Sequence, residues 1–134
     1  MKQRILLTGA TGFIGYYLAH ELAAAGYHFN ALVRANSNRK QLADISNHIE
    51  FVEGDLLDYP SLEDAIKECD VIIHAAAMVS FDAANEELMM EINGYGTQAL
   101  IDLALAHGVK RFIHVSSVAA LDRTVKGTVS EKNR

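Results

Sequence analysis

The stretch that decides the fold is Thr8-Gly9-Ala10-Thr11-Gly12-Phe13-Ile14-Gly15, which follows the apolar run Ile5-Leu6-Leu7 and opens an amphipathic helical pattern. A strand that turns on glycines into a helix can hold a pyrophosphate, because the helix N-terminus presents unpaired N–H groups and its positive dipole end. We expect Gly9 to make the tight turn, Gly12 to admit the phosphates, and Gly15 to let the helix pack on the strand. The rest of this predicted phosphate-binding turn is Thr11, Phe13 and Ile14. The alternative is a tight strand-to-helix turn without a ligand.

The composition is that of a globular protein with an acidic balance. The chain has 134 residues, half of them apolar, and a net charge of −5 with a pI near 5.6. That charge argues against nucleic acid or an anionic membrane as a partner. No apolar run approaches the roughly 20 residues that span a bilayer. The single cysteine, Cys69, fits a reducing compartment, so we expect a cytoplasmic protein.

Cysteine and histidine usage argues against a disulfide and a metal site. Cys69 is the single cysteine, so it can form neither an internal disulfide nor a thiolate cage. The six histidines have no metal-ligand spacing such as His-x-x-x-His. The sequence therefore predicts no metal site.

Strand and helix patterns alternate along residues 1–134, which predicts one α/β domain. The predicted strands are Gln3–Thr8, His28–Arg34, Ile49–Glu53, Val71–Ala75 and Lys110–Ser116. The predicted helices are Phe13–Ala25, Arg39–Ile45, Pro60–Glu68 and about Ala84–His107. Right-handed crossovers then predict a Rossmann-type, doubly wound parallel sheet in the order 3-2-1-4-5, with helices on both faces. Its ligand crevice would lie at the carboxyl ends of strands one and four.

Helix boundaries are marked by glycine and proline. Gly26 and Gly108 each follow a helical pattern and suit the left-handed cap that ends a helix. Pro60, the single proline, suits the first turn of the third helix.

The glycine spacing is Gly-x-x-Gly-x-x-Gly, directly after an N-terminal strand. In this the chain resembles the extended short-chain dehydrogenase/reductase family, within the NAD-dependent epimerase/dehydratase superfamily. The resemblance covers nearly all of the sequence and implies a nicotinamide dinucleotide cofactor. The motifs together, rather than any one of them alone, are specific to this family.

The end of the second strand predicts which dinucleotide is bound. An acidic residue at this place hydrogen-bonds the ribose hydroxyls of NAD, whereas an arginine accepts the extra phosphate of NADP. Here the strand ends in Arg34, and Arg39 and Lys40 follow without a nearby Asp or Glu. A guanidinium matches a phosphate dianion through paired hydrogen bonds, so we expect NADP rather than NAD. The alternative is that Arg34 is a solvated residue at a strand end.

Two further segments resemble the family's cofactor contacts. By resemblance, Asp55 accepts from the adenine amine and the Leu56 amide meets a ring nitrogen; a helix-capping loop with Asp58 and Pro60 is the alternative. After the fourth strand, small residues would let a ribose and pyrophosphate come close: Ala75, Ala76 and Ala77. His74, in an apolar strand, is interpreted as a core histidine rather than a ligand or base.

The substrate end of the site is also implied by resemblance. Asn93, in Asn93-Gly94-Tyr95-Gly96-Thr97, would lie near the nicotinamide and hold the catalytic network. The two glycines, Gly94 and Gly96, suggest close helix packing against the sheet. Ser117 matches the active-site serine, with Ser116 as the alternative strand-end hydroxyl. The fourth helix implies a homodimer.

The family's acid/base pair, Tyr-x-x-x-Lys, is absent from these 134 residues, because no tyrosine has a lysine four residues later. The chain as given is therefore expected to be inactive, as the N-terminal piece of a longer enzyme whose substrate-binding part it lacks. The first hypothesis is an NADP-dependent reductase of secondary alcohols or ketones, resembling the dihydroflavonol reductase branch. The alternatives are a nucleotide-sugar epimerase or dehydratase of the same superfamily, and a non-catalytic dinucleotide-sensing module.

Overall fold

A computed structural model describes residues 3–121, 124, 126–130 and 132. Its sheet has five parallel strands in the order β3-β2-β1-β4-β5. The strands are β1 (Ile5–Thr8), β2 (Phe29–Val33), β3 (Ile49–Glu53), β4 (Val71–His74) and β5 (Arg111–His114). The predicted parallel topology and strand order are confirmed.

Helical segments connect the strands. The α-helices are α1 (Phe13–Ala24), α2 (Tyr59–Ile66), α3 (Glu86–Met90) and α4 (Thr97–Ala106). The 3₁₀ segments are Lys40–His48, Ala83–Asn85 and Val118–Ala120, and Glu91–Gly96 is a π-helix between α3 and α4.

Two cores lie on opposite faces of the sheet, because successive strand residues point to opposite faces. One face buries Leu6 and Ile72 with residues of α2 and α4, including Leu62 and Leu100. The other face buries Leu7 and Ile73 among residues that include Ala19 of α1 and Leu42. The helices therefore cover both faces, as expected for a doubly wound sheet.

The second predicted helix, Arg39–Ile45, forms as the 3₁₀ segment Lys40–His48 rather than as an α-helix. Its buried residue is Leu42, so little apolar packing supports an α-helix there. The Ser46 hydroxyl also donates to the Ala43 carbonyl at 2.8 Å. Such local side-chain bonds compete with α-helical hydrogen bonding.

The fourth predicted helix, about Ala84–His107, is interrupted. The π-helix Glu91–Gly96 breaks it, and this segment contains both glycines. Gly96 packs against Leu56 in the loop after β3, since an added Cβ would lie 3.0 Å from the Leu56 Cβ. Gly94 is exposed, so the expectation that both glycines pack on the sheet is wrong.

The predicted helix boundaries are confirmed at Gly26, Gly108 and Pro60. Gly26 and Gly108 adopt φ angles of +79° and +70°. Pro60 lies in the first turn of α2. The fifth strand is shorter than predicted: it ends at His114, and its residues are largely exposed because β5 is an edge of the sheet. In the part of the chain that the structure describes, no helix is long and apolar enough to cross a membrane.

Candidate functional site

The glycine turn has the backbone that its spacing predicts. Gly9 has a φ of +75°, and its carbonyl accepts the Gly12 N–H at 2.9 Å. A Cβ at Gly9 would lie 2.6 Å from the Ala76 nitrogen, and one at Gly15 would overlap the Gly9 carbonyl. The tight turn at Gly9 and the close helix approach at Gly15 are as expected, whereas phosphate contact at Gly12 stays a prediction.

The N-terminus of α1 suits an anion. Gly12 is its N-cap residue and is exposed, and within the described residues no side chain caps this end or places an acid in its first turn. The first N–H groups of a helix have no partner within the helix, so they are available to a ligand. Phe13 and Ile14, which follow, are 78% and 47% exposed. This uncapped and accessible terminus fits the pyrophosphate of a dinucleotide.

A contact that sequence reasoning missed holds the turn from outside. The Gln41 side-chain amide donates to the Thr11 carbonyl at 2.6 Å, which ties the 3₁₀ segment Lys40–His48 to the glycine turn. The two residues are 30 positions apart, and no motif marks Gln41 as a partner.

Arg34 lies exposed directly after β2. Two hydrogen bonds between Arg34 and Ser37 close a turn here. The Ser37 N–H donates to the Arg34 carbonyl at 3.0 Å, and the Arg34 N–H donates to the Ser37 hydroxyl at 3.1 Å. The Arg39 guanidinium lies over the Phe51 ring, 5.0 Å from its centre. Arg34 is therefore an exposed cation directly at the end of β2.

Asp55 shapes the loop after β3. One of its carboxylate oxygens accepts the Leu57 N–H at 2.9 Å, and its own N–H donates to the Ser61 hydroxyl at 3.1 Å. The Gly54 N–H donates to the Val33 carbonyl at 3.0 Å, which brings this loop beside the end of β2. Asp58, at the N-cap of α2, makes no side-chain capping bond to the described residues. Adenine binding by Asp55 and Leu56 stays a prediction.

The segment after β4 packs against the glycine turn. The Ala75 N–H donates to the Thr8 carbonyl and the Ala76 N–H to the Thr8 hydroxyl, each at 3.2 Å. Asn93 holds the next residues, since its side chain accepts from the Met78 N–H and donates to the Met78 carbonyl, both at 2.8 Å. The role of Asn93 seen here is to anchor this loop to the π-helix.

Ser117 lies beyond the end of β5, not within the strand. Its hydroxyl oxygen accepts the Ala119 N–H at 3.2 Å and so caps the 3₁₀ segment Val118–Ala120. Ser116 is also exposed. Ser116 and Ser117 both stay candidates for the substrate contact.

The strand order brings the predicted residues to one edge. Along the carboxyl ends of β3, β2, β1, β4 and β5 follow, in turn, Asp55, Arg34, Gly9, Ala75–Ala77 and Ser117. The gap between β1 and β4 is the point where the chain reverses its direction across the sheet, which is where such folds bind ligands. Within the described residues, no group of three or more His, Cys, Asp or Glu side chains could hold a metal ion.

Comparison with known proteins identifies the family. Residues 5–132 match the sequence profile of the NAD dependent epimerase/dehydratase family. This chain belongs to that family. The epimerase/dehydratase family is described as NAD dependent, which agrees with the uncapped glycine turn.

Relatives within the epimerase/dehydratase family differ in activity. The chain is 35% identical over 127 residues to a putative dihydroflavonol 4-reductase of Synechocystis. It is 32% identical to DesIV, a dTDP-glucose 4,6-dehydratase from Streptomyces venezuelae solved with NAD bound, with a TM-score of 0.76 over 84% of the chain. It is 30% identical to the epimerase Mth375 from Methanothermobacter thermautotrophicus, with a TM-score of 0.87 over 98% of the chain.

The match to these epimerase/dehydratase relatives is partial on their side. The chain spans 36% of the Synechocystis reductase, 38% of the DesIV chain and 40% of the Mth375 chain. The alignment with the Synechocystis reductase covers 95% of this chain.

Proposed function

We propose that this chain is the NADP(H)-binding part of an oxidoreductase that transfers hydride between nicotinamide and a secondary alcohol or ketone. Its substrate would be a small molecule, as for dihydroflavonol reductases. The observation that carries the cofactor preference is Arg34, exposed at the end of β2 in a turn closed by Ser37. The segment 34–41 contains no acidic residue to bind the ribose hydroxyls of NAD.

The dinucleotide would lie across the carboxyl edge of the sheet. The uncapped first turn of α1 would bind the pyrophosphate, and Arg34 would form paired hydrogen bonds with the 2′-phosphate. Asp55 and Leu56, beside the end of β2, would hold adenine. The small residues Ala75–Ala77 would leave space for the nicotinamide ribose.

At the substrate end, this chain would supply positioning and one hydroxyl. When bound, the nicotinamide would supply or accept the hydride. Ser117 would donate a hydrogen bond to the substrate oxygen as its charge changes. Its oxygen already accepts from the Ala119 N–H, which leaves the hydroxyl proton to be donated. The acid/base tyrosine and lysine implied by the family resemblance have no counterpart in this sequence, so proton transfer is a proposal for a longer protein.

A nucleotide-sugar dehydratase or epimerase is the second candidate function. The similarity to DesIV, solved with NAD and TYD bound, favours it. Arg34 argues against this candidate, because nucleotide-sugar dehydratases and epimerases return the hydride to the same substrate and typically use NAD, whereas Arg34 favours NADP.

The cofactor preference is tested by titrating the chain with NADPH and with NADH. We expect tighter binding of NADPH, because a charge-assisted hydrogen bond contributes about 1.5–3 kcal/mol. In Arg34→Asp, NADPH binding falls by at least about tenfold, since each 1.4 kcal/mol is tenfold in affinity. Equal affinity of the unmodified chain for both dinucleotides would rule out the Arg34 argument.

Arg111→Asp is the matched control, because it makes the same change in charge. Arg111 is exposed in β5 and lies at the amino end of that strand, opposite the proposed site. We expect it to leave the ratio of NADPH to NADH affinity unchanged. An equal loss of preference in both variants would assign the effect to overall charge.

Reductase and epimerase chemistry differ in whether the reduced cofactor is consumed. A longer protein that contains this domain would consume NADPH in step with ketone reduction if it is a reductase. Conversion of a nucleotide sugar without net loss of NADPH or NADH would support the second candidate instead.

A further inference from the structure

His74 is buried between two hydroxyl groups. It is 1% exposed at the end of β4. Its Nδ1 lies 2.6 Å from the Thr8 hydroxyl, and its Nε2 lies 2.9 Å from the Thr97 hydroxyl at the start of α4. One imidazole therefore joins the strand before the glycine turn to the helix after the π segment.

The partners of Thr8 decide which nitrogen carries the proton. Thr8 is fully buried, and among the described residues its hydroxyl contacts the Ala76 N–H and the His74 Nδ1. The Ala76 N–H can only donate, so the acceptor left for the Thr8 proton is Nδ1. A buried hydroxyl without an acceptor is costly, which favours a proton on Nε2 that is donated to Thr97.

The protonation state agrees with this arrangement. Burial, with a smaller contribution from the charge of His114, lowers the pKa of His74 to about 4. The imidazole is therefore neutral at pH 7 and has one donor and one acceptor nitrogen.

This hydrogen-bond chain ends at the proposed cofactor crevice. It runs from the Ala76 N–H through the Thr8 hydroxyl and the His74 ring to Thr97. Ala76 packs against Gly9 together with Ala75, since a Cβ added at Gly9 would lie 2.6 Å from the Ala76 nitrogen. A second hydrogen bond lies two residues further along the same segment, where the Met78 N–H donates to the side chain of Asn93 in the π-helix.

We propose that His74, as its neutral Nε2–H tautomer, is a positioning residue that sets the Ala76 amide and the glycine turn relative to α4. Its effect on dinucleotide affinity rests on the proposed function. The tautomer of His74 and the hydrogen-bond connection from His74 to the Ala76 amide do not depend on the proposed function.

The tautomer is tested by ¹⁵N NMR of the histidine side chains in the 134-residue chain at pH 7. We expect a pyridine-like signal from Nδ1 and a pyrrole-like signal from Nε2 of His74. The opposite assignment, or a protonated imidazolium, would overturn the proposal. This measurement requires no variant, so it stands even if a substitution prevents folding.

The connection is tested with Thr97→Val, which removes the hydroxyl and keeps the shape, and with Thr97→Ser, which restores it. We expect the Val variant to shift the Ala76 amide resonance and to weaken NADPH binding roughly tenfold, and the Ser variant to behave as the parent chain. Gln98→Ala, on the exposed side of α4 where Gln98 contacts Asp102, is the control and leaves both readouts unchanged.

The outcomes separate the two proposals. An Ala76 resonance that does not move in a folded Thr97→Val variant refutes the positioning role of His74. A parent chain that shows the expected tautomer but binds neither NADPH nor NADH refutes the proposed function and leaves the hydrogen-bond chain intact.

Discussion

Replacing Gly9 with alanine separates two reasons for a glycine at this turn. Gly9 and Gly26 both have a positive φ, of +75° and +79° respectively. A Cβ at Gly26 would have nothing within 4 Å, whereas one at Gly9 would lie 2.6 Å from the Ala76 nitrogen and 2.7 Å from the Ala75 carbonyl carbon and oxygen. Both alanine variants therefore place a Cβ on a residue with positive φ, and the steric clash with the segment after β4 arises only at Gly9.

The expected magnitudes follow from these two terms. A left-handed backbone costs a non-glycine residue about 1–2 kcal/mol. Overpacking that forces the backbone to shift costs about 1–3 kcal/mol more. We therefore expect Gly26→Ala to lose about 1–2 kcal/mol and Gly9→Ala about 2–5 kcal/mol of unfolding free energy.

Urea unfolding followed by far-UV circular dichroism measures this, since the chain has no tryptophan to report unfolding by fluorescence. With a urea m-value of about 2 kcal/mol/M, the midpoint of Gly9→Ala lies about 1 M below that of Gly26→Ala. Equal midpoints for the two variants would refute the reasoning. They would mean that the positive φ alone accounts for the loss of stability at Gly9, and that the segment after β4 shifts without cost to make room for the added Cβ.

Two further predictions concern groups outside the proposed site. Burial raises the pKa of the Cys69 thiol to about 11, so we expect Ellman's reagent to react slowly with the folded chain and rapidly in urea; equal rates would contradict the burial. The Arg4 backbone N–H, and then the Lys110 ammonium, lower the pKa of Asp70 to about 2. The parent chain should therefore lose stability relative to Asp70→Asn as pH falls from about 4 towards 2. Urea midpoints from about pH 6 to pH 2 test this, and a constant difference would contradict it.

The architecture was predictable because its signals are local. Short apolar runs such as Val71–His74 form buried parallel strands, and the turn at Gly9 needs a conformation that glycine adopts at little cost. Once those elements are placed, the handedness of the crossovers leaves the observed strand order. The common edge that gathers Arg34, Asp55 and Ser117 follows from that order.

What the sequence did not predict depends on distant partners. The π-helix Glu91–Gly96 reads as ordinary helix in its local pattern, yet there Gly96 packs on Leu56 and Asn93 bonds to Met78. The Gln41 contact with Thr11 depends on a 3₁₀ segment whose geometry is set by packing. His74 was correctly interpreted as buried, but its hydroxyl partners lie 66 and 23 residues away.

The order of the strands also decides how the sheet can meet another chain. β3 and β5 are its two edges, and the outer side of each presents backbone donors and acceptors to which a further strand can add. Glu50 and Glu53 are exposed on β3, and Arg111 is exposed on β5. Charges of this kind discourage unwanted pairing at an edge. Like charges therefore repel when two copies meet through the same edge, β3 to β3 or β5 to β5, whereas the edge of β3 and the edge of β5 carry charges that attract each other.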